Sequence, residues 1–335
     1  MRFAIMSAAA LLLASAPVAA QGNDDGLPVG ACINIGNHLE SPDENGWGGA
    51  RIGEADFRNI AGAGFDTVRI PIRWDSHAGT DAPYTIDPAW LDRVEAVVDG
   101  AMGAGLNVIL DSHNFLGLHE APEANRDELA ALWSQIAARF ADRPVGRLWF
   151  EIENEPHNQL TNVNLPQIYA PALAAIRTSN PDRPVIVGGE FWSGIDSLAT
   201  LNLPDDPHIF PTFHYYEPFA FTHQGAEWPE DKQPLGRIYG GPEDVQRLKD
   251  DVAKVRAYVV RTGKTPFIGE SGAYEVIPLD QRVAYTRAVH DAFAPLGIGM
   301  CTWAYTNTFP FYDHEKQRWL PGMLAAMGLP GTAKE

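Results

Sequence analysis

The sequence predicts a (β/α)8 barrel in a single domain. Three observations carry this. Eight short apolar runs, rich in β-branched residues, recur along the chain. Amphipathic stretches of helical period separate most of them. Nearly every run ends in a polar or aromatic residue, which is where such a barrel gathers its functional side chains.

Taken in order, the first 20 residues read as a secretory signal peptide. Met1-Arg2 is a short basic start, an Ala/Leu/Met run follows, and Val18-Ala19-Ala20 places small residues before Gln21. The apolar part is too short for a bilayer, which takes about 20 apolar residues, and no later segment is long and apolar enough. Residues 21–335 are expected to be the barrel. The strand-like runs are 31–35, 67–71, 107–111, 148–152, 184–188, 208–214, 266–269 and 298–303. Most lack polar alternation, as suits parallel strands buried on both faces. Helices are expected at 88–102, 127–140, 166–179, 242–261 and 279–293. Several open on proline, and several close near glycine, as at Gly103, Gly105 and Gly263. A doubly wound sheet would want a glycine-rich phosphate loop after the first strand; Ile35-Gly36-Asn37-His38-Leu39 stands there instead. The longest irregular stretch, 215–241, holds Phe219, Phe221, Trp228 and Tyr239 and has the length of a functional loop.

With 25 Lys and Arg against 43 Asp and Glu, the net charge is −18. A chain this acidic is not drawn to phosphate backbones or anionic membranes, so neither nucleic acid nor a membrane is an expected partner. The two cysteines, Cys32 and Cys301, lie in the first and last strand-like runs. Barrel closure would make those strands neighbours. Pairing and two buried thiols both stay open, because adjacent strands often lack disulfide geometry.

Reading the strand ends gives Asn34 and Asn37, Arg69, Asp111 and His113, Asn154 and Glu155, His214 and Tyr216, Glu270, and Trp303. The fifth run ends in Gly188-Gly189-Glu190 and says less. Two carboxylates at one mouth, Glu155 and Glu270, are what glycoside hydrolysis requires, one to protonate the leaving oxygen and one to attack or activate water. The same pair with His113, His214 and Asp111 could ligate a metal, or could simply pair with Arg69.

These motifs resemble glycoside hydrolase family 5, the cellulase-like group of retaining β/α-barrel enzymes. The resemblance spans the chain after the leader. It rests on Ile33-Asn34-Ile35-Gly36-Asn37, Val68-Arg69-Ile70-Pro71-Ile72-Arg73-Trp74, Asp111-Ser112-His113, Asn154-Glu155-Pro156, His214-Tyr215-Tyr216, Ile268-Gly269-Glu270 and Thr302-Trp303, each at an expected strand end. It implies Glu155 as acid/base and Glu270 as nucleophile. It implies that Arg69 keeps the nucleophile ionised, that Tyr216 hydrogen-bonds it, and that Asn154 contacts the sugar 2-hydroxyl. His113 and His214 would bind hydroxyls or tune the carboxylates, and Trp303 would floor the reacting sugar. Asn37, Trp74 and Trp228 are further candidate sugar contacts. The sequence departs from many relatives at Asn114 and Ser271.

The implied activity is a double displacement on a β-1,4-glucan, with no cofactor and no metal. A β-mannanase or an exo-acting glycosidase on short oligosaccharides is the alternative. A retaining enzyme of this kind separates its carboxyls by about 5–5.5 Å, an inverting one by roughly 6.5–9.5 Å. A metal-dependent barrel hydrolase and a non-catalytic carbohydrate-binding barrel are the rivals from other classes.

Overall fold

The computed structural model describes residues 26–330, apart from 45, 48 and 49; the expected leader lies outside the described residues. Eight parallel strands close a barrel in chain order: β1 Ala31–Asn34, β2 Thr67–Ile72, β3 Asn107–Ser112, β4 Leu148–Glu151, β5 Val185–Val187, β6 Ile209–His214, β7 Phe267–Glu270 and β8 Met300–Thr302. Each falls within a residue or two of an expected run. Continuous apolar strands fit because helices cover their outer face while the barrel fills its own interior.

The crossovers carry α1 Glu54–Gly62, α2 Pro88–Gly103, α3 Pro122–Arg139, α4 Leu165–Ser179, α5 Pro242–Thr262 and α6 Leu279–Phe293. α2, α3, α4 and α5 have proline in the first turn, where its missing N–H costs nothing. α3 starts five residues before the expected 127, because Pro122 sets that first turn. The fifth crossover makes do with a 3₁₀ turn, Ile195–Ala199. A small antiparallel ribbon, Tyr312–Asp313 with Arg318–Trp319, follows β8 and has no counterpart in the sequence reading.

Barrel closure settles the cysteines. β1 pairs with β8 so that Cys32 lies opposite Cys301, and the two form a disulfide. Stretch 215–241 is more ordered than its composition suggests. It contains the short helix Phe219–Thr222. It is pinned by buried Gln224, whose amide donates to the Arg237 and Phe221 carbonyls and whose oxygen accepts from the Gly236 and Arg237 N–H groups. No helix among the described residues is long and apolar enough to cross a membrane.

Candidate active site

The site is built around Arg69, on β2 and fully buried. A lone buried guanidinium would be prohibitively costly, so every donor is matched. Nε and Nη2 form a bidentate pair with Glu151 at 2.7 and 3.0 Å. Nη2 also meets Asp111 at 2.9 Å and donates to Asn154 at 2.7 Å. Nη1 donates to Asn34 at 3.0 Å and to Glu270 at 2.8 Å. One cation thus fixes groups from β1, β3, β4 and β7 at the carboxyl end of the barrel. Asp111 then accepts from His113 Nδ1 at 2.7 Å, which aims His113 Nε2 at the Asn154 amide, 3.4 Å away.

Glu270, on β7, is almost wholly buried. One oxygen takes the Arg69 donor; the other takes the Tyr216 hydroxyl at 2.9 Å. Glu155 follows β4, with one oxygen 2.7 Å from His214 Nδ1. His214 Nδ1 also lies 3.6 Å from Glu270, so this imidazole sits between the two carboxylates. Single ligand atoms of Glu155, His214 and Glu270 all lie within 4.8 Å of one another. Among the described residues this is the group whose ligand atoms converge closely enough for a metal ion.

Burial pushes the Glu270 carboxyl up, and the neighbouring Glu155 charge adds to this, against the pull of His214, Arg69 and Tyr216. Burial acts on Glu155 too, but the hydrogen bond and charge of His214 outweigh it and hold that carboxyl low. His214 moves the opposite way: burial lowers it, yet the charges of Glu270 and Glu155 raise it above an ordinary histidine. Glu155 and His214 thus face each other along a 2.7 Å hydrogen bond that a single proton can share. His113 goes well below the usual range, through burial first and then the Arg69 and His214 charges.

Trp303, after β8, stacks over His113 with ring centres 5.8 Å apart. Its edge rests on Gly36, where a β-carbon would lie 2.6 Å from Trp303 Cζ2; glycine is required there for close approach. Asn37 has a left-handed φ of 67° and donates to Thr308 at 3.0 Å. Its N–H, with that of His38, is held by buried Glu40, whose carboxyl burial raises to about 7. Trp228 joins Tyr216 through an aromatic cluster of His223, Phe309 and Tyr274. One candidate is corrected. Trp74 is 1% exposed and packs in the core, so it offers no face to a sugar. Trp90, Trp133 and Trp149 are buried core residues.

Asp111 and Glu153 are both buried and act as supports, Asp111 on Arg69 and His113 and Glu153 on Ser112 and Phe115. The sequence reading passed over Glu40, His119, His157 and His223. Only His157 carried a signal, two residues beyond Glu155 in the same motif.

A closed β/α barrel whose strand ends converge on two carboxylates, a buried arginine and a tryptophan is the architecture of a glycosyl hydrolase. The chain belongs to glycosyl hydrolase family 5: the cellulase model of that family matches residues 26–309. It is 33% identical over 310 residues to endoglucanase H of Acetivibrio thermocellus, covering 91% of this chain and 33% of that protein. It is 29% identical over 291 residues to the cellulase/esterase CelE of the same organism, covering 81% and 34%. The chain thus spans about a third of the length of these relatives. Among solved structures, a hyperthermophilic endo-β-1,4-glucanase in complex with substrate superposes with a TM-score of 0.88 at 37% identity, covering 92% of this chain and 99% of that one. Thermotoga maritima Cel5A with mannotriose gives 0.87 at 36%, covering 91% and 99%.

Proposed function

We propose that this chain is an exported, retaining β-glycosidase that cleaves β-1,4-glucan by double displacement. The observation that carries the reading is the spacing and asymmetry of the two carboxylates. Oxygens of Glu155 and Glu270 approach within 4.8 Å, which fits the close pair of a retaining site rather than the wide gap that admits water for inversion. Glu270 has donors on both oxygens, Arg69 and Tyr216, which favour an anion ready to attack. Glu155 keeps one oxygen without a protein donor, and its side chain is 25% exposed, which suits a group exchanging protons with substrate and water.

In the first step Glu155 gives the proton it shares with His214 to the leaving sugar oxygen as Glu270 bonds to the anomeric carbon. In the second, Glu155 takes a proton from water, which displaces Glu270 and restores the anomeric configuration. The Asn154 amide, fixed by Arg69, is placed for the 2-hydroxyl, and Trp303 for the apolar face of the ring.

Glu270→Ala should lose turnover of an aryl β-cellobioside by several orders of magnitude. Azide should rescue it to a glycosyl azide of inverted configuration; an azide product of retained configuration would show that the nucleophile lies elsewhere. A second reading on β-mannan is favoured by one observation, the similarity to Cel5A in complex with mannotriose. Initial rates on soluble glucan and mannan separate the two. The Cys32–Cys301 disulfide supports an oxidising compartment, hence export.

A further inference from the structure

His157 has no part in the steps above, yet it is tied to the residue that performs them. Glu155 has a left-handed φ of 51°, and so do Phe191, Trp192 and Ser193 at 59°, 56° and 53°. Side chains other than glycine resist this region, and such backbone persists only where its surroundings impose it. Here the two strained segments hold each other. His157 Nδ1 donates to the Glu155 carbonyl at 2.7 Å. The Trp192 N–H donates to the Pro156 carbonyl at 3.1 Å, and the Ser193 carbonyl accepts from the His214 N–H at 2.7 Å. One loop therefore holds both the turn bearing Glu155 and the backbone of the histidine on its carboxylate.

The side chains repeat the connection. The half-exposed Trp192 ring lies parallel to His157, 5.0 Å between centres and 11° between planes. His157 stacks in turn on His119 at 4.1 Å. His119 Nε2 meets Glu153 at 3.0 Å. Glu153 is fully buried and also accepts from the Ser112 hydroxyl and the Phe115 N–H. The stack is anchored in the barrel at one end and opens to solvent at the other.

We propose that His157 is a positioning residue for Glu155, held by the Trp192–His157–His119 stack, and that it governs proton donation to the leaving group rather than attack by Glu270. This rests on the acid/base reading of Glu155. The Arg69 and Tyr216 contacts that prepare Glu270 involve neither His157 nor Trp192, so the proposal has them survive a disturbed His157.

The test compares kcat/KM, which reports the first bond cleavage, on three substrates: 2,4-dinitrophenyl β-cellobioside, phenyl β-cellobioside and cellotetraose. Dinitrophenolate departs without protonation; the other two leaving groups need it. His157→Ala should cut kcat/KM for phenyl cellobioside and cellotetraose roughly 10–100-fold, with the dinitrophenyl substrate changed by less than about threefold. His157→Asn, whose amide can donate to the same carbonyl, should recover most of the loss. An equal fall on all three substrates, or no fall on any, overturns the proposal. Should His157→Ala fail to fold, Trp192→Leu removes only the exposed outer ring; it should give the same split at smaller size, and a uniform loss there overturns the proposal equally. Wild-type enzyme that turns over none of the three would sink the hydrolase reading itself, and inverted product would sink its retaining mechanism, so these failures and that of the proposal are seen in different proteins.

Discussion

At the scale of single residues, the site shows how one buried cation organises several anions. Arg69 contacts Asp111, Glu151 and Glu270, and three carboxylates around one guanidinium would repel one another if all were charged. Burial, only partly offset by Arg69, pushes Asp111 well up, and its bond to His113 shares the load. The Glu155–His214 pair follows the opposite pattern, with a definite sign. Glu155 is held below its ordinary value, so its contribution to stability is present above the unfolded carboxyl range and fades as pH falls through the lowered value. His214 is raised, so its contribution is present below the unfolded histidine value and fades as pH climbs through the raised one. The difference in Tm between wild type and His214→Asn should therefore be largest between those two limits and shrink on both sides; thermal melts across roughly pH 4–9, a range that brackets the ordinary carboxyl and imidazole values, would show it. A difference that stays flat over that range would mean that the pair shares no proton. Asn34, Arg69, Asn154, Glu155, His214, Tyr216 and Glu270 were all legible as strand-end residues. Trp74 misled, because the position after a strand says nothing about which way a ring turns, and here the core takes it.

At the scale of elements, strands and long helices were easy to read, since burial on both strand faces and proline-headed helices write a simple pattern. The stretch 215–241 was not. Part of its order comes from one amide, Gln224, satisfying groups ten or more residues away, and such a contact leaves no period in the sequence. Gln224→Ala would take this partner from two N–H groups and two carbonyls, at a cost of about 1–3 kcal/mol for each one left buried and unsatisfied. Hydrogen exchange at Gly236 and Arg237 should rise markedly while the barrel strands stay protected; unchanged exchange there would mean that the loop is held by its aromatic cluster alone. Trp228 reaches Tyr216 through that cluster, so the same variant should weaken oligosaccharide binding more than it slows cleavage of a bound aryl glycoside.

For the whole molecule, the disulfide spans 269 positions and joins the first strand to the last. It staples the seam where the barrel closes, and a loop that long constrains the unfolded chain strongly in the entropic account, with about 2–4 kcal/mol the usual range. Cys32→Ala/Cys301→Ala should lower stability by about that amount in denaturant titration, with little change in kcat, because the pair packs with Val29, Ile109, Trp149 and Ile186 and makes no contact with the carboxylates. Wild type under reducing conditions should approach the same value once the bond opens.

Taken by itself, the sequence determined the eight-fold alternation, the strands, the residues at their ends and the likeness to family 5, because each is written locally, in period and in short motifs. Only the tertiary structure decided the rest: that Cys32 and Cys301 meet, that His214 stands between Glu155 and Glu270, that Trp74 turns into the core, and that His157 props the turn bearing Glu155. Those facts depend on which strands become neighbours when the barrel closes and on where each buried donor finds its acceptor. Both are settled by contacts between residues far apart in the chain, and a linear pattern carries no record of them.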